Sequence, residues 1–119
     1  MKQYALASSL LAVLVLSGCA QPKVQSLYGW YGYEAQIDAW FRQTTLSPDV
    51  QLQRMQQDLE KIHAAGQKPP PGFRAHLGLL YGHLGDPVSF RSELEAEMAA
   101  FPEGTPYMNF LLRNFKDRK

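Results

Sequence analysis

The 119-residue chain has one cysteine, Cys19. That excludes an internal disulfide framework and any zinc site built on several cysteines. An excess of charge of one sign is missing as well: 12 Lys and Arg against 11 Asp and Glu leave a formal +1. Nucleic-acid binding needs many phosphate contacts from a basic face, and this balance does not supply one. There is no Gly-x-Ser-x-Gly elbow and no Ser–His–Asp order tied to a strand–turn–helix context. The three histidines do not have metal-ligand spacing. His76 and His83 share a helix face but stand about 10 Å apart along its axis, whereas two ligands for one ion need the i, i+4 spacing. No catalytic residue, metal or small-molecule substrate is therefore expected. Large rings, by contrast, are plentiful. Two Trp, six Tyr and six Phe are too many for a disordered tail.

The amino terminus carries an address. Lys2 supplies a positive start, and Ala5 to Leu16 is an apolar run broken only by Ser8 and Ser9. A bilayer of about 30 Å takes about 20 residues to span, so this run reads as a signal peptide rather than an anchor helix. It ends in Leu16-Ser17-Gly18-Cys19, which resembles the lipobox of bacterial lipoproteins. The resemblance implies a diacylglycerol thioether on Cys19, cleavage before it and acylation of the new amino group. Several acyl chains, at about 0.8 kcal/mol per buried methylene, anchor a protein stably where one does not. Ala20, in place of a retention aspartate, points by the same resemblance to the periplasmic face of the outer membrane. The expected organisation is a signal peptide over 1–18, a lipidated cysteine and polar tether over 19–26, and a folded domain over 27–119.

That domain reads as all-α. Ser47-Pro48, Asp86-Pro87 and Thr105-Pro106 each pair a capping residue with proline at the first helical position. Helical stripes follow: Leu52, Met55, Leu59 and Ile62, closed by Gly66; Phe90, Leu94, Met98 and Phe101, stopped by Pro102; Met108, Leu111, Leu112 and Phe115. Two further helices carry Tyr33, Ile37, Trp40, Phe41 and Thr44, and Phe73, Leu77, Leu80, Tyr81 and Leu84, the second ended by Gly85. These last two stripes coincide on a shift of 40 residues. Met55, Leu59 and Ile62 map onto Leu94, Met98 and Phe101 at a shift of 39. The chain thus reads as two copies of a helical hairpin plus a C-terminal capping helix, with Lys68-Pro69-Pro70-Pro71-Gly72 as a stiff hinge. In the second copy Leu77-Gly78, Tyr81, Gly85 and Pro102 resemble a tetratricopeptide repeat (TPR), although Phe90 and Glu97 stand where that motif has alanines. A generic four- or five-helix bundle is the alternative.

Two features invite a binding reading. Leu27 to Glu34 packs four aromatics into six residues interleaved with glycine. Tyr and Trp dominate interface hot spots, so Tyr28, Trp30 and Tyr31 are candidate partner-binding residues; the alternative is that these rings fold back onto the first hairpin. In a TPR-like register the inner helix faces present Ala35, Ala39, Arg42, Ala75, Leu79 and Gly82, a shallow groove for a helix or extended peptide unless the aromatic segment fills it. Arg42 and Leu79 are the candidates there. Asp58, Glu60, Glu93, Glu95 and Glu97 read as solvated helix faces. The basic end, with Arg113, Lys116, Arg118 and Lys119, reads as a helix terminus complementing the macrodipole.

The sequence resembles the bacterial lipoprotein family catalogued as domain of unknown function 4810. The resemblance rests on Leu27, Tyr28, Trp30, Tyr33 and Glu34, on Pro70-Pro71-Gly72 followed by Ala75-x-Leu77-Gly78, and on Phe101-Pro102-Glu103 followed by Met108. The family's opening usually reads Trp-Gly, where this chain has Tyr31, and its usual serine after Phe-Pro-Glu is Gly104 here. Members are often encoded beside a lipoprotein similar to the curli secretion channel and a further small lipoprotein. That implies a partner among the envelope lipoproteins. The expectation is a non-enzymatic interaction component held at the membrane through Cys19. The other reading is a lipoprotein that binds or processes peptidoglycan, which calls for a deep polar pocket with perturbed carboxylates.

Overall fold

The structure, a computed structural model, describes residues 22–115. Among them are five α-helices: α1 (Tyr33–Phe41), α2 (Pro48–Ala64), α3 (Phe73–His83), α4 (Pro87–Ala100) and α5 (Thr105–Asn114). The signal peptide, Cys19 and the basic residues Lys116, Arg118 and Lys119 lie outside the described residues. No described helix is long and apolar enough to cross a membrane.

The punctuation of the sequence explains most boundaries. Pro48 and Pro87 open α2 and α4, and the Asp86 side chain accepts a bond from the Ser89 N–H at 3.0 Å. Gly66 and Gly85 lie at φ +66° and +87° and end α2 and α3 with paired bonds. Gly66 N–H donates to His63 O and Gln67 N–H to Ile62 O. Gly85 N–H likewise donates to Gly82 O and Asp86 N–H to Tyr81 O. This double closure satisfies the last helical carbonyls and favours glycine, which has no Cβ to clash in the left-handed region. Helix α1 closes the same way, through Gln43 N–H to Trp40 O and Thr44 N–H to Ala39 O, but with Gln43 at φ +48°. It therefore stops at Phe41, short of Thr44. The cap expected at Thr105 falls on Gly104, because Pro102–Gly104 form a 3-10 turn that runs straight into α5.

Two cores meet on α3. Tyr33, Met55, Ile62, Phe73, Leu77 and Leu80 join α1, α2 and α3. Ala75, Phe90, Leu94 and Met108 join α3, α4 and α5. Each fully buried Leu, Ile, Met or Phe side chain stabilises the fold by about 1.5–3 kcal/mol. Helices α3 and α4 lie close along their length, whereas α1 and α2 touch at few points. Close approach in the second pair depends on Gly78, where a Cβ would stand 2.5 Å from Leu94 Cδ1 and 3.2 Å from the Phe90 carbonyl oxygen.

Two carboxylates read as solvated are buried instead. Glu97, on α4, accepts from the N–H groups of Gly72 at 2.6 Å, Arg74 at 3.2 Å and Ala75 at 3.3 Å, and so caps α3 from across the hairpin. Asp58, on α2, accepts from the Gly32 N–H at 3.1 Å at the start of α1 and pairs with Lys61 at 2.8 Å. A helix start leaves N–H groups without intrahelical partners, and a carboxylate there also meets the positive end of the dipole. Gly32 and Gly72 are 40 residues apart, and Asp58 and Glu97 are 39 apart. The repeat thus extends to its caps. Glu93 is half-buried and pairs with Arg74 at 2.9 Å.

Candidate functional site

The aromatic opening is divided between packing and exposure. Its backbone pairs with the segment joining the hairpins: Lys68 N–H donates to Leu27 O at 2.9 Å and Gly29 N–H to Lys68 O at 3.0 Å. Gln67 Nε2 adds a bond to Ser26 O at 3.0 Å. Tyr28 is half-buried, its ring 6.1 Å from that of Phe101, and Tyr33 is buried against Phe73 at 5.4 Å. Burial, followed by the nearby Glu97 charge, raises the Tyr33 phenol above its ordinary pKa, so it stays protonated. Trp30 and Tyr31 remain 44 % and 50 % exposed. Tyr31 sits at φ +37° with Lys61 Nζ 5.8 Å from its ring centroid. A left-handed backbone is costly for a bulky residue and natural for glycine.

The first helix of each hairpin and α5 together line an apolar groove. One hollow, of about 350 Å³, lies between Tyr33, Ile37 and Phe41 of α1 and Tyr107 and Met108 of α5, over Ala75 and Leu79 of α3. A second, of about 530 Å³, continues along α3 past Leu79 and Gly82 to Leu111 and Phe115. A third, of about 430 Å³, opens between the end of α1 and the start of α2 and includes Ala39 and Gln51. Trp40 borders all three. The aromatic opening does not fill this groove. Only Tyr33 of that segment lines it.

Among the candidates on the inner faces, Leu79, Ala75 and Gly82 are brought together in the groove. Arg42 is not among them; it is exposed and paired with Asp38 at 2.6 Å. Ala35 is exposed. Phe41, read as part of an apolar stripe, is 77 % exposed at the groove's edge.

Trp40 stands edge-on to two imidazoles, with ring centroids 5.5 Å from His76 and 5.6 Å from His83. His76 is buried, and burial lowers its pKa to about 4, so it is neutral at pH 7. Both histidines therefore pack against Trp40. Among the described residues no group of three or more His, Cys, Asp or Glu is placed to hold a metal. Sequence reasoning passed over His76, Trp40 and Glu97 as site residues. The available signal was the seven-residue spacing of the histidines, which sets both on the face that α1 crosses.

The family described as domain of unknown function (DUF4810) matches residues 27–111, from the aromatic opening to the second hollow's Leu111. The chain belongs to this family. It matches no curated protein and no solved structure. In this DUF4810 chain the matched span includes α1 through α4 and most of α5, and with them nearly every residue that lines the groove.

Proposed function

We propose that the protein is a non-enzymatic docking component, tethered through lipid on Cys19 at the periplasmic face of the outer membrane, whose TPR-like helical domain receives another envelope lipoprotein. The observation that carries this reading is the open apolar groove along α3, rimmed by the exposed rings of Phe41 and Tyr107. Exposed aromatics beside a shaped apolar hollow are the usual anchors of a protein interface. Trp30 and Tyr31 extend the aromatic surface beyond the groove, since the Trp30 ring lies 6.2 Å from that of Tyr33. The lining favours a protein partner over a glycan strand, which needs many convergent polar groups. A lipoprotein similar to the curli secretion channel is the partner class that the family's usual setting suggests.

The test is in-cell crosslinking with a photoreactive residue at Trp30 or Tyr107, read by mass spectrometry. A discrete adduct with another envelope lipoprotein supports the reading, and crosslinks confined to the chain itself overturn it. Cys19→Ser is expected to release the protein from the membrane fraction. Retention of the variant there would remove the lipid anchor from the proposal.

A further inference from the structure

The segment before α1 leaves Val24 90 % and Leu27 59 % exposed. Neither belongs to a core, yet the backbone that carries them is bonded to the end of α2 and the turn after it. Gln25 Nε2 donates to Ala65 O, Gln67 Nε2 to Ser26 O, Lys68 N–H to Leu27 O and Gly29 N–H to Lys68 O. Tyr31 meets the same end of α2. Its hydroxyl donates to Gln67 Oε1 at 3.5 Å, and Lys61 Nζ stands over its ring. Trp30 leans the other way, toward Tyr33 and the groove. Apolar side chains that a bonded backbone holds in water mark a contact surface.

The charge around this patch is of one sign. Residues 22–33 and 61–74, the stretches that meet here, carry Lys23, Lys61, Lys68 and Arg74 and no Asp or Glu. Asp58 engages Lys61, and Glu93 engages Arg74. Lys23 and Lys68 are exposed and have no carboxylate partner among the described residues. The nearest carboxylates beyond the two stretches, Glu34 and Glu60, sit within α1 and α2. Exposed aliphatic side chains, a tyrosine and free lysines are the chemistry of a bilayer interface. Tyrosine rests at headgroup level there, and lysine lays its stem on apolar surface while its ammonium reaches phosphate.

The path of the chain selects the same occupant. Gln25 is the first described residue bonded to the domain. Cys19 precedes it by six residues, a reach of at most about 22 Å. An acyl anchor on Cys19 therefore holds this patch beside a phospholipid surface at a high effective concentration. Resting on the lipid anchor of the docking reading above, we infer that Val24, Leu27 and Tyr31 lie on the phospholipid bilayer, with Lys23 and Lys68 at its headgroup phosphates. None of these residues lines the three hollows of the groove, so bilayer and partner engage different side chains.

The test reconstitutes the full chain, purified from membranes, in vesicles of phosphatidylethanolamine with phosphatidylglycerol. Its intact mass comes first: without acyl groups on Cys19 the anchor falls, and this inference with it. With them, a photoreactive residue at Leu27 or Tyr31 is expected to give phospholipid adducts on irradiation, and one at Tyr107 few. A short tether alone would also bring Leu27 near lipid, so charge decides. A lysine near an anionic bilayer strengthens binding about fivefold. Lys23→Glu combined with Lys68→Glu should cut the Leu27 adducts by at least that factor. Both side chains are exposed and unpaired, so the melting temperature should hold. Phosphatidylcholine vesicles should have a similar effect on the native chain, with no substitution at all. Adducts that are absent, that form with protein only, or that ignore both changes of charge would overturn the bilayer contact. The docking groove, probed separately at Tyr107, would then still stand.

Discussion

The two hairpins share a ground plan and differ in how tightly they close. In both, a glycine precedes the first helix and a carboxylate from the second helix accepts its N–H: Gly32 with Asp58, and Gly72 with Glu97. In the second hairpin, however, Gly78 and Gly82 let Leu94 and Phe90 of α4, and Phe115 just past α5, press against the α3 backbone. Forty residues earlier those positions hold Asp38 and Arg42, an exposed ion pair. One repeat uses the two positions to bring helices together, and the other turns them to water. Repetition in sequence therefore fixed the order and the caps of the helices, while two positions in each copy decided the distance between them. The looser hairpin contributes the exposed edge of the groove, and the tighter one contributes its floor.

Removing the caps should separate the two hairpins most clearly. Glu97→Ala leaves three N–H groups without an acceptor and is expected to cost about 4 kcal/mol, against about 1 kcal/mol for Asp58→Ala, which has one such contact and an ion pair with the exposed Lys61. Urea unfolding of both variants checks the ranking, and equal losses would mean that the caps do not discriminate.

Acid should act on the second hairpin next. His76 takes a proton near pH 6.5 when unfolded but only near pH 4 in the fold. The unfolded chain therefore binds more protons between those values. Stability is full above pH 6.5 and falls as the pH drops toward 4, by about 3 kcal/mol. At the matching position in α1 stands Gln36, which does not titrate. His76→Gln copies the first hairpin into the second and should flatten this part of the stability–pH curve, as measured by thermal melts from pH 4 to 7.

Close packing gives a smaller contrast. Gly78→Val should cost about 2 kcal/mol, because the branched side chain meets Leu94 and the Phe90 carbonyl. Asp38→Val, its counterpart in α1, should stay within about 0.5 kcal/mol. Small in size and opposite in sign is Gln43→Gly. It places glycine where Gly66 and Gly85 close the other helices and should stabilise by roughly 0.5–1 kcal/mol, visible as a rise in the melting temperature.

Much of this arrangement was legible in the sequence. Pro48, Pro87, Gly66 and Gly85 are local signals whose cause lies within a few residues, and they mark helix ends without reference to the rest of the chain. The stripes of Met55, Ile62, Leu77 and Leu94 likewise announce burial by their spacing. Asp58 and Glu97 were misread because a carboxylate on a helix looks the same whether it faces water or the start of a helix some 25 residues away in sequence. Their shared offset from Gly32 and Gly72 was present in the repeat, and only its meaning was hidden. The groove was legible in part. Leu79 and Ala75 fall where an inner face requires them, but Arg42 turns outward to Asp38, and nothing local to His76 shows that Trp40 covers it.

The clasp between Leu27–Gly29 and Lys68 determines where the molecule feels a load. The segment before α1 enters at the waist, between the hairpins, and not at one end of the helical stack. A pull on that segment is borne by the Gln25 side chain on Ala65 O, then by the Gln67 side chain on Ser26 O and two backbone hydrogen bonds to Lys68. These can part while both hairpins stay folded. The segment then acts as a mechanical fuse, lengthening under load before any helix gives way.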